Sequence, residues 1–219
     1  MEQPGESAYG ESRWPMAAAV LTAIVLTIFL PEDFRLARRW LMPAVEALLL
    51  VALIAGDPGQ ISRRSTALRA VSLTLITVMA LSALWLTVKL VDDLLHGGPE
   101  TSSAADLLQA GGSVWACTVL AFSLLYFELD CGGAAARAER MPDIPDLAFP
   151  QQLNPHLSDP RWRPRYIDYL YLGLTNAMAF SPTDVMPLAP WAKVTMSVQS
   201  VASLVILGLI VARAVNVLA

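Results

Sequence analysis

Long apolar runs alternate with short polar clusters along the chain, and the lengths of those runs set the first expectations. Residues 70–88, 107–127 and 194–212 carry no charged side chain. At about 1.5 Å per residue each run matches or nearly matches a hydrocarbon layer about 30 Å thick. Two further windows follow the same pattern: residues 14–30 run uncharged up to Pro31, and residues 41–55 are interrupted only by Glu46. The pattern predicts an all-α integral membrane protein with about five transmembrane helices, four being the alternative. Glu2, Glu6 and Glu11 have the wrong sign for the start of a secretory signal, so the first window reads as a retained helix.

The polar segments divide this series. Residues 130–165 hold six prolines and no strong apolar period, which predicts a non-spanning connector with a short helix over 134–141 and a packed Trp162. The N-terminal transmembrane helices, about three of them, then occupy residues 1–100. A C-terminal module, residues 101–219, contains the connector and the loop segment 166–190.

Residues 166–176 have an apolar, aromatic helical pattern, but the Ser181-Pro182 break leaves them roughly 15 Å of helix, half the hydrocarbon layer. A re-entrant half-helix before the last span is therefore expected. Irregular backbone at membrane depth needs protein cover or a hydrated cavity around it. The side chains of Thr175, Asn176, Ser181, Thr183 and Asp184 are suited to line such a cavity, while a simple cap or turn before the last helix is the plainer alternative. On that helix Gln199 and Ser203, four residues apart, share a face. They are candidates for the lining of an inner helix or, equally, for interhelical hydrogen bonds. Gly208 and Ala212 form a small-residue face suited to close packing.

Composition agrees with a multi-pass protein of the cell membrane: 55% of residues are hydrophobic and 16% charged, with a mean hydropathy of +0.51. The acidic stretch "KLVDDLLHGGPETSSAAD" favours the outside, which puts the loop with Arg63, Arg64 and Arg69 inside. Cys117 and Cys131 imply no disulfide framework. Enzymatic chemistry is not expected, because neither histidine is placed to activate a nucleophile; no cofactor motif or metal-ligand cluster stands out. Nucleic acid is excluded as a partner, since no basic patch exists to hold it. Glu46 is the acid within an apolar window, fit for an interior or an interfacial ion pair. Glu128 and Asp130, beside Tyr126-Phe127, read as an interface anchor or a vestibule charge.

The order helix, half-helix, loop, helix resembles the pore module of the potassium-channel superfamily over residues 107–218. Thr183-Asp184 stands where that family has Gly-Asp, Pro187 matches its downstream proline, and Pro190-Trp-Ala-Lys193-Val resembles its inner-helix entry. The departure lies in the filter, where Phe180, Ser181, Pro182 and Thr183 replace Val-Gly-Tyr-Gly and Pro182 fixes one φ outright. The resemblance implies a homotetramer, one half-helix per chain, around a weakly selective opening for monovalent cations. The loop is also similar to that of an uncharacterised group of bacterial integral-membrane proteins with a Ser-x-Thr-Asp sequence. Two functions follow as expectations: a weakly selective cation channel, or a non-conducting membrane assembly or small-molecule-binding protein with a degenerate pore-like fold.

Overall fold

The structure is a computed structural model describing residues 10–31, 34, 40–61, 65–96, 103–139, 141–154, 156, 158–159, 162–178 and 184–218. Among these residues the order is β1 (Glu11–Ser12), α1 (Trp14–Phe29), α2 (Leu41–Gly56), β2 (Gln60–Ile61), α3 (Thr66–His96) and α4 (Ala104–Leu129). A 3₁₀ turn (Asp130–Gly132), α5 (Ala134–Glu139), β3 (Leu147–Ala148), α6 (Pro150–Leu153), α7 (Tyr166–Met178), β4 (Met186–Pro187) and α8 (Pro190–Leu218) complete it.

Among the described residues three helices, not five, are long and apolar enough to cross a membrane: α3, α4 and α8. Their 31, 26 and 29 residues correspond to about 46, 39 and 44 Å of helix. Helices α1 and α2 have 16 residues each, about 24 Å, short of a hydrocarbon layer of about 30 Å. Local chemistry sets those limits. Leu30, at the end of α1, is extended at φ −69°, ψ 147°, the conformation a following proline favours. Helix α2 ends in the Gly56-Asp57 pair. The expected re-entrant pore half-helix also requires correction. Its sequence forms the 13-residue α7, which packs against α4 and α8 of the same chain, and no clear re-entrant pore half-helix is present among the described residues.

Helix α4 is the centre of the bundle, packing against α1, α3, α7 and α8. Its apolar window is 67% buried, against 39% for α3 and 28% for α8. The outer helices show large apolar side chains instead, among them Leu81, Trp85 and Val88 on α3 and Val194, Val201, Leu204 and Val211 on α8. Such faces are stable against lipid tails and not against water, so this is a multi-pass membrane protein in contact with the bilayer through several apolar helices. One buried cluster joins α1, α2, α3, α4 and α7. A second, around Phe34, Leu90, Leu107, Val114 and Ile206, holds the opposite end.

Close approach of α7 to α4 depends on Gly173, where a Cβ would sit 3.1 Å from Ser123 Cβ and 3.2 Å from Val119 O. The Gly208 and Ala212 face has no such role: nothing lies within 4 Å of a Cβ built at Gly208, and both residues are exposed. The short helix expected over 134–141 is α5, and Trp162 packs on Phe149 with ring centroids 5.9 Å apart.

Two strand pairs gather the polar segments at one end of the bundle. β1 pairs antiparallel with β2, and Arg13 N–H donates to Gly59 O at 2.9 Å. This brings the start of α1 to the α2–α3 link. β3 pairs with β4, and Asp146 O accepts from Leu188 N–H at 2.8 Å, which holds the connector at the entry to α8. Tyr166 N–H donates to Glu11 Oε1 at 2.5 Å, so α7 begins at this end too. Arg13, Arg69, Arg137, Arg163 and Arg165 all lie here.

Candidate functional site

Three polar groupings occupy the arginine-rich half of the bundle, and they differ in how far their hydrogen-bonding capacity is used. The first is a knot between α4, α7 and α8. Tyr166, Tyr169, Gly173 and Asn176 recur at three- and four-residue spacing, which puts them on one face of α7, and all four are buried. Asn176 Nδ2 donates to Gln199 Oε1 at 2.7 Å and to Met196 O at 3.0 Å. Its Oδ1 accepts from Ser200 Oγ at 3.0 Å. Tyr126 Oη–H donates to Gln199 Oε1 at 2.7 Å, and Gln199 Nε2 donates to Gly173 O at 2.8 Å. The Asn176 amide thereby uses both its donors and its acceptor within the protomer.

Asn176 and Gln199, singled out from sequence as lining residues, are thus brought together as partners of each other. Thr175 is only half-buried, with its hydroxyl turned back onto Tyr171 O at 2.9 Å. Ser203 is fully buried on α8, and its hydroxyl has no hydrogen-bond partner among the described residues. Asp184 is exposed in a bend before β4. Phe180, Ser181, Pro182 and Thr183 lie outside the described residues. Tyr126, the third member of the knot, gave no polar signal in the sequence because aromatic residues are common in apolar windows.

The second grouping fastens the end of α4. The chain turns there through Cys131, Gly132 and Gly133, at φ 52°, 81° and 94°. Glycine adopts such values without steric penalty, whereas Cys131 is held by donating its N–H to Asp146 Oδ2 at 2.9 Å. Asp130 Oδ1 accepts from Leu147 N–H at 3.1 Å and from Cys131 Sγ–H at 3.2 Å. Asp130 Oδ2 accepts from Tyr169 Oη–H at 2.5 Å. Burial pushes the Tyr169 phenol well above its ordinary pKa, so it stays a donor to that carboxylate. Arg137 donates to Phe127 O at 2.7 Å and Asp130 O at 2.6 Å. Its guanidinium lies 4.9 Å from the centroids of both the adjoining Phe127 and Tyr169 rings, a cation–π contact with each, and its Nε and Nη2 have no hydrogen-bond partner among the described residues. Asp130, Cys131 and Asp146 place three metal-ligating atoms within 4.8 Å of one another. All three groups are engaged in this fastening, with the Arg137 cation alongside.

The third grouping is a cavity of about 470 Å³ between α1, α2, α3, the end of α4 and α5. Arg13, Asp57, Arg69, Ser72 and Glu128 supply its polar wall, and Met16, Leu53 and Leu68 part of its apolar one. Arg13 Nε donates to Asp57 O at 2.9 Å, and its Nη2 reaches Asp57 Oδ2 at 3.1 Å. Glu128 is buried with Ser72 beside it and the positive charges of Arg137, Arg69 and Arg13 around it. Gly133 lets the backbone close over this carboxylate: a Cβ there would lie 3.0 Å from Glu128 O and 3.2 Å from Glu128 Oε1, at a φ of 94°. The volume of the cavity falls within the roughly 300–1,000 Å³ usual for small-ligand sites, and its wall is about equally polar and apolar.

No protein-family model, curated protein or solved structure matches the chain. The functional reading therefore rests on this geometry.

Proposed function

We propose that the protein is a non-conducting, membrane-embedded binding protein whose site is the cavity at the arginine-rich end of the bundle. The observation that carries this reading is the contrast between Asn176, whose amide is saturated by Gln199, Met196 and Ser200, and the cavity, where charged groups of both signs face open space. A pore needs polar groups free to replace an ion's hydration shell. The amides of the knot hold helices together instead. The excess of positive charge in short links near this end favours the cytoplasmic side.

The competing reading is a homotetrameric, weakly selective cation channel like the potassium-channel pore module, with Asp184 as the charge that concentrates cations. Planar-bilayer recording of the purified protein in KCl and NaCl, with oligomeric state measured in parallel, separates the two. The binding reading predicts a silent bilayer. Cation current that changes in Asp184→Asn would overturn it in favour of the channel.

A further inference from the structure

We propose that the cavity binds a small zwitterion, a molecule carrying a primary ammonium and an oxyanion, with the oxyanion at Arg69 and the ammonium at Glu128. The inference rests on the binding reading above and names the class of ligand. Four charged side chains line the cavity, two of each sign. Arg13 and Asp57 engage one another, with side chains only 6% and 10% exposed, and so neutralise each other. Arg69 and Glu128 remain. Arg69 is exposed, and no ion pair joins it to an acid among the described residues.

Their separation suits a bridging ligand. A Cβ at Gly132 would lie 3.5 Å from Arg69 Nη1, and one at Gly133 would lie 3.2 Å from Glu128 Oε1. Because these two glycines are adjacent, the charges are at most about 13 Å apart, yet the two side chains do not reach ion-pair distance. A molecule whose ammonium nitrogen and oxyanion oxygens are up to five bonds apart, with a hydrogen bond of about 3 Å at each end, fits within that limit. Glu128 together with the Ser72 hydroxyl offers several acceptor lone pairs, which suits an ammonium with N–H donors over a quaternary one. The guanidinium of Arg69 is a fork matched to phosphate or carboxylate oxygens. Met16, Leu53 and Leu68 leave an apolar wall for whatever the charged part carries. This chemistry occurs both in free zwitterions and in the headgroup of an ethanolamine-type phospholipid.

The test is thermal unfolding of the full chain in detergent, titrated with O-phosphoethanolamine, phosphocholine, methyl phosphate or ethanolamine. Parallel measurements use nanodiscs of phosphatidylcholine with and without phosphatidylethanolamine. The proposal predicts a saturable upward shift with O-phosphoethanolamine that phosphocholine does not reproduce. Arg69→Gln and Glu128→Gln should each weaken it at least tenfold, while Lys89→Gln, at the far end of α3, leaves it unchanged. Ser72→Ala replaces Glu128→Gln if the latter does not fold. A shift appearing in nanodiscs only with phosphatidylethanolamine identifies the lipid as the source, and a shift from the free compound in either setting identifies the soluble zwitterion. Methyl phosphate acting equally well, undiminished in Glu128→Gln, overturns the zwitterion and leaves an anion site. If the response to any probe persists in Ala136→Trp, which fills the cavity, the cavity is not the site and the binding reading fails as well. Absence of any shift in wild type overturns the proposal.

Discussion

The knot around Asn176 and the cavity around Glu128 are both polar clusters in an apolar bundle, and both recruit residues from α4. In the knot, every hydrogen-bonding group of Asn176 meets a partner on α8. In the cavity, one ion pair is closed and two opposite charges are left facing a 470 Å³ space. The difference teaches that a polar cluster in an apolar bundle is a candidate site where opposite charges face open space and bonding capacity is left over. Where it is filled, the same residue types are interhelical fasteners.

That comparison can be broken by mutation, and the largest effect belongs to the fastening at the end of α4. Arg137→Ala removes two charge-assisted bonds and a guanidinium lying over two adjoining rings. It should lower unfolding free energy by about 3 kcal/mol, measured by denaturant titration in micelles. Arg137→Lys should recover less than half of this, since a point ammonium lacks the planar face that lies over both rings. Asn176→Ala should cost about 1–2 kcal/mol by the same measurement and leave ligand response intact. Gly133→Ala should cost about 1–2 kcal/mol through its left-handed backbone. It should also displace the Glu128 carboxylate and weaken the ligand shift, which sharpens the boundary between fastening and site. Arg69→Gln should change stability by less than about 0.5 kcal/mol, as expected for an exposed charge, while abolishing most of the ligand response.

The smallest effect is a pH slope at the edge of the site. Burial raises the Glu11 carboxyl above its ordinary value of 4.5. The folded state then holds this proton more tightly than the unfolded state does, so this group's contribution to stability falls as pH rises from 4.5 through the raised value. Glu11→Gln should flatten that portion of a melting-temperature profile against pH.

Much of the framework was legible because burial in lipid needs only length and apolarity. Residues 70–88, 107–127 and 194–212 fall inside α3, α4 and α8. The two early windows misled because apolar composition does not distinguish a span from a shorter helix packed on the bundle, and Pro31 and Gly56-Asp57 stop α1 and α2 at 16 residues each. In the site, Asn176 and Gln199 were visible as amides in apolar surroundings. Their hydrogen bond of 2.7 Å supports the reading as interhelical glue, and no spacing along one chain carries that information. Arg13 and Asp57 are 44 residues apart, and their pairing depends on β1 meeting β2. Two-residue strands have too short an alternation to be read. Asp184 drew attention through a resemblance, and it is exposed in a bend before β4.

The most direct test of the account is thermal unfolding of wild type, Asn176→Ala and Arg69→Gln, each with and without saturating O-phosphoethanolamine. The account predicts that Asn176→Ala melts lower but keeps the ligand-induced shift, and that Arg69→Gln melts with wild type and loses it. A ligand shift lost in Asn176→Ala and retained in Arg69→Gln would contradict the division of the bundle into a fastened knot and an open site.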